Sequence, residues 1–78
     1  MNNFATIFLA IKKQCEEAES TGIPPTLDSI AVECNIPTQR LELYINCLHG
    51  VGFITYYASS GTIILTDVGK NKQQIFDV

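Results

Sequence analysis

The sequence predicts an α+β fold, mostly helical, ordered as helix, helix, helix, β-hairpin, helix in one domain over residues 1–78. Three observations carry that prediction. Apolar residues recur at helical spacing in three segments separated by chain breakers. The pattern then changes to two short β-branched and aromatic runs around a hairpin-length loop. Finally, 78 residues, 46% of them apolar and 17% charged, have the size and composition of one compact globular domain. No internal repeat, low-complexity run or linker interrupts the chain.

Residues 3–19 open with an amphipathic helix. Phe4, Ile7, Phe8, Ile11, Cys15 and Ala18 share one face. Asn3 is the expected N-cap. Lys12 with Glu16, and Lys13 with Glu17, are expected to pair along the wet side. Leu9 falls opposite the apolar stripe, which makes this helix the expected contact in a homodimer. Glu16, Glu17 and Glu19 crowd the end of the helix against its dipole, and the sequence gives no physical reason for that.

Gly22 and Pro24-Pro25 stop the helix. Thr26 is placed to cap the next one, with Asp28 in its first turn. Leu27, Ile30, Ala31 and Cys34 form that short helix's apolar face. Asn35 then ends it, because asparagine tolerates the left-handed conformation of a sharp turn. Ile36 is expected to plug the angle, and Pro37 or Thr38 to open a third helix. Leu41, Tyr44, Ile45 and Leu48 give that helix its buried stripe, and Gly50 and Gly52 end it.

Phe53 to Tyr57 and Thr62 to Thr66 read as strands joined by the loop ASSG. The tail TDVGKNKQQIFDV reads as a fourth helix. Thr66 is its expected cap, and Val68, Ile75 and Phe76 its inward residues. Gly69 argues against that helix, since glycine weakens a helix interior.

The stretch TLDSIAVECNIPTQRLELYINCLHGVGFI, residues 26–54, resembles the winged helix-turn-helix superfamily of DNA-binding domains, of the small bacterial, archaeal or phage regulator type. Thr26, Ile30, Ala31, Asn35, Ile36, Leu41, Ile45, Leu48, Gly52, Phe53 and Ile54 meet its usual pattern without a gap. Leu65, Thr66 and Gly69 echo the LT-x-x-G that often follows the wing. The resemblance implies a three-helix core, a β-hairpin wing and a C-terminal helix. It also implies a small transcriptional regulator that places helix 38–49 in the major groove of double-stranded DNA.

On a helical wheel, Gln39, Leu43 and Asn46 point away from the buried stripe, flanked by Arg40, Glu42 and Cys47, with His49 near one edge. Gln and Asn can pair with adenine and Arg with guanine, and leucine can touch a thymine methyl. Thr38 stands where a phosphate would pass. On the wing, Tyr57 and Ser59, with Tyr56 and Ser60, can donate hydrogen bonds to the backbone.

Charge argues the other way. The net charge is −3 and the isoelectric point about 4.8, whereas nucleic-acid binders are usually basic on at least one face. The wing lacks Lys and Arg, and Glu42 would repel phosphate. The same residues also suit an ordinary solvated helix face. Lys12, Lys13, Lys70 and Lys72 lie in the first and last helices, where they are expected to keep the surface soluble; the other reading is that they flank a groove between two paired subunits. The alternative is therefore a protein-interaction module on the same scaffold that does not bind DNA. Apolar Leu43 and Cys47 would centre its contact, as protein interfaces prefer.

Catalysis is not expected. His49 has no nucleophile in a motif, and Cys47, two residues away on a helix, does not face it. No cofactor motif is visible. Cys15, Cys34 and Cys47 are odd in number and lack zinc-ligand spacing, so they read as free thiols in a reducing compartment. No apolar run approaches the roughly 20 residues that span a bilayer. The start MNNFATIFLAIKK has its lysines after the apolar run, unlike a signal peptide. A cytoplasmic location is expected.

Overall fold

The computed structural model describes residues 3–71. They fold as an α+β unit, mostly helical. The order is α1 (Asn3–Thr21), α2 (Leu27–Cys34), α3 (Thr38–Gly50), β1 (Ile54–Tyr57), β2 (Thr62–Leu65) and α4 (Asp67–Asn71). None of the described helices is long and apolar enough to cross a membrane.

Helix α1 buries Ile7, Phe8, Ala10 and Ile11, with Phe4 and Cys15 packed at the margin. Ala10 widens the face beyond the expected stripe, because a single methyl does not announce itself in apolar periodicity. Two local expectations are corrected. Asn3 is already helical, and its amide donates to the Tyr44 hydroxyl on α3 at 3.2 Å. Lys13 does not pair along its own helix with Glu17. It reaches Glu33 of α2 at 3.3 Å, where the Gln14 amide also donates at 2.8 Å. Both contacts are exposed, so they contribute little to stability.

Helix α2 starts at a capping box. The Ser29 N–H donates to Thr26 Oγ1 at 3.1 Å, and the Thr26 N–H donates to Ser29 Oγ at 2.9 Å. Two of the helix's orphan polar groups are satisfied at once. The Ser29 hydroxyl also donates to Gln14 Oε1 at 2.6 Å and ties the cap to α1. Helix α2 ends as expected at Asn35, which is left-handed at φ 56° and ψ 48°. The Ile36 N–H bonds back to Ala31 O at 3.0 Å, and the Ile36 side chain packs against the core. That turn sets the direction of α3.

Leu41, Ile45 and Leu48 of α3 are fully buried. Tyr44 is half-buried, its ring edge-on to Phe4 with centroids 4.7 Å apart. The hairpin pairs Ile54 with Leu65, Thr55 with Ile64, Tyr56 with Ile63 and Tyr57 with Thr62. Its inward residues Ile54, Ile63 and Leu65 close the core from the other side.

The segment before α2 does more than break the chain: it runs beside the outer edge of β2. Ile63 N–H donates to Pro25 O at 2.9 Å, Leu27 N–H donates to Gly61 O at 2.8 Å, and Thr26 bridges to Thr62. Proline is tolerated there because the segment lies along the outer edge of β2.

Helix α4 forms at the expected place but turns a different side inward. Thr66 caps it: its hydroxyl accepts from Gly69 N–H at 3.1 Å and donates to Gly52 O at 2.6 Å. Val68, expected inward, is 59% exposed, and Gly69 is buried in its stead. A Cβ at Gly69 would collide with the Phe53 carbonyl oxygen and come within 2.9 Å of Leu65 Cδ1. Glycine is what lets α4 lie against the hairpin, so its presence favours this helix. Ile75, Phe76 and Lys72 fall outside the described residues. Gly69→Ala should cost about 1–3 kcal/mol as an overpacking change against backbone. A urea midpoint equal to the parent's would show that α4 does not press on Phe53.

Candidate nucleic-acid interface

The buried stripe of α3 decides which side of it is available. With Leu41, Ile45 and Leu48 inward, Thr38, Gln39, Arg40, Leu43, Asn46 and Cys47 are all exposed, Leu43 to 67%. Side chains able to pair with base edges, Gln39, Arg40 and Asn46, therefore share the outer side with one apolar group. Tyr57 and Ser59 are exposed on the hairpin. All eight of these residues lie on the surface of α3 or the hairpin, the two elements that meet along β1.

The hairpin differs from expectation in two side chains. The Tyr56 hydroxyl, expected to donate to phosphate, donates to Glu42 Oε2 at 3.0 Å. The Ser60 hydroxyl shares a 2.9 Å hydrogen bond with Thr62 Oγ1. Tyr56 also uses its main chain: its N–H donates to His49 Nδ1 at 3.2 Å. Burial pushes the Tyr56 phenol up. Its hydrogen bond to Glu42, the Glu42 charge and the more distant Asp28 push it the same way. Glu42 is thus not a loose carboxylate on the outer face. It is half-buried and turned to the hairpin.

Sequence reasoning missed this grouping of Glu42, His49 and Tyr56. The available signal was that Glu42 and His49 stand two turns apart on α3 and so project from one side of it. Val32 was missed as well. It lies off the buried face of α2, is 82% exposed, and lines a shallow concavity with Asp28, Ile36, Pro37 and Thr38 beside the turn.

Arg40 is the one Lys or Arg on α3 and the hairpin. Lys12 and Lys70 line a separate groove between α1 and β2, together with Cys15, Glu16, Pro25 and Leu65. The three cysteines are dispersed: Cys15 and Cys34 are half-buried and Cys47 is exposed. Burial pushes the Cys15 and Cys34 thiols up, and for Cys34 the Glu33 charge adds to it. Both therefore favour the protonated, unreactive form. No cluster of His, Cys, Asp or Glu suited to a metal ion occurs among the described residues.

No protein family, curated protein or solved structure matches the chain.

Proposed function

We propose that the chain is a winged helix-turn-helix domain acting in the cytoplasm as a small transcriptional regulator, and that it reads the major groove of double-stranded DNA with α3. The observation that carries this reading is the division of α3. One side is fully buried through Leu41, Ile45 and Leu48, and the opposite side presents Gln39, Arg40, Leu43 and Asn46. The left-handed Asn35 before α3 and the hairpin after it support the same assignment.

In this role Arg40 donates to guanine O6 and N7, Gln39 and Asn46 pair with adenine, and Leu43 meets a thymine methyl. Thr38, Tyr57 and Ser59 hold the sugar-phosphate backbone. A homodimer through α1, centred on exposed Leu9, would set two reading helices on a palindromic site. With Arg40 as the principal cation at the contact, affinity should fall only gently with salt compared with a strongly basic binder.

The test is titration of a DNA site, enriched from a random pool, with the parent and with Arg40→Ala and Asn46→Ala. Each substitution should remove about 1–3 kcal/mol of discrimination at its own base pair. Equal losses on unrelated DNA would mean that these side chains do not read bases. One observation favours a protein partner instead. Leu43 and Cys47 form an exposed apolar centre with few charges around it. On that reading Leu43→Asp abolishes capture of the partner, and no DNA sequence enriches.

A further inference from the structure

Glu42 is the one acid on α3, on the helix assigned to read DNA. Its carboxylate accepts the Tyr56 hydroxyl at 3.0 Å. The same tyrosine donates its main-chain N–H to His49 Nδ1 at 3.2 Å. That N–H belongs to the strand edge facing away from β2, where a donor otherwise lacks a ladder partner. Glu42 and His49 stand two turns apart on α3, so both acceptors project from the side that meets β1. One residue therefore bolts the hairpin to α3 at two points, and one of the bolts also fixes a negative charge.

We infer that Tyr56 is a positioning residue of the reading face: its hydroxyl holds the Glu42 carboxylate on the hairpin and off the DNA backbone, and its main-chain N–H on His49 fixes the angle between hairpin and α3. This inference rests on the DNA-reading function proposed above. The physical reason is the distance dependence of charge repulsion. A carboxylate free to swing outward on α3 would come within a Debye length of the phosphates, roughly 10 Å at 0.1 M salt. Held by a charge-assisted hydrogen bond, it stays with the protein.

Tyr56→Phe keeps the ring and the main-chain N–H but frees Glu42. On a selected DNA site it should weaken binding several-fold at low salt, and the penalty should shrink as salt rises. Glu42→Gln should bind as well as the parent or better. The double variant Tyr56→Phe/Glu42→Gln should recover the affinity that Tyr56→Phe loses. A merely structural tyrosine gives a different pattern: Tyr56→Phe stays weak at every salt and is not rescued. That pattern overturns the inference.

The protein alone supplies an independent reading. The Cζ carbon of each tyrosine, followed by NMR across alkaline pH, should show Tyr56 ionising at lower pH in Glu42→Gln than in the parent. An unchanged Tyr56 titration overturns the clasp whatever the DNA result. A parent that binds no DNA, with the Tyr56 shift intact, instead overturns the DNA-reading function and the positioning role with it.

Discussion

Replacing Phe8 by alanine should lower the free energy of unfolding by about 3–5 kcal/mol. Phe8 is 1% exposed on α1. Its ring meets that of Phe53 at 6.0 Å between centroids, tilted by 45°, and so joins α1 to the start of the hairpin. Lys12 Nζ lies 5.4 Å above the same ring. Truncation removes apolar burial, the ring contact and the cation–π contact together, and leaves a cavity that neighbouring helices cannot fill without moving. The domain is small. At roughly 0.05–0.15 kcal/mol per residue its whole stability is on the order of 4–12 kcal/mol. Phe8→Ala should therefore lose a large fraction of that stability, visible as a urea midpoint well below the parent's. A loss below about 1 kcal/mol would mean that Phe8 packs at the margin of the core.

Ile45→Ala should cost about 2–5 kcal/mol, and Leu43→Ala should stay within about 0.5 kcal/mol. The two residues stand two positions apart on α3 and have opposite surroundings. Ile45 is fully buried between the other helices and the hairpin, and Leu43 is 67% exposed. Apolar content alone would rank the two leucine-like side chains alike, so the contrast reports orientation. Equal costs for both, measured by denaturant unfolding of matched samples, would contradict the assignment of the outer side of α3.

Several elements were legible because a residue type met a specific backbone demand. Asn35 signalled the left-handed turn, Thr26 signalled a cap, and Leu41, Ile45 and Leu48 repeated at helical spacing. What stayed hidden depended on contacts between segments distant in sequence. Ser29 completes the capping box, though glutamate or glutamine is usual there. Pro25 looked like a breaker, and its carbonyl nonetheless serves the outer edge of β2. Gly69 looked like a weak helical residue. Only the nearby Phe53 carbonyl shows why no side chain fits, and with Gly69 inward, Val68 must turn out.

The site divides in the same way. The helical period placed Gln39, Arg40, Leu43 and Asn46 outward. It could not show that Tyr56 crosses from β1 to Glu42 and His49, because strand position relative to a helix is a tertiary property. Glu42 read in isolation is a repelling charge. Read with Tyr56, it is a restrained one.

Whether α3 reads DNA, as proposed, is decided by selection from a random duplex pool. The full chain is incubated with the pool at low salt, bound duplexes are recovered over several rounds, and the enriched sequences are compared with those from Arg40→Ala/Asn46→Ala. If α3 reads DNA, one motif should enrich, containing guanine and adenine steps within a span that a single helix can reach. Two such half-sites about one helical turn apart are expected if the protein pairs through α1, and the motif should be lost in the double variant. A pool that remains random with the parent protein, at salt low enough for even weak phosphate contacts to persist, would contradict DNA reading by α3.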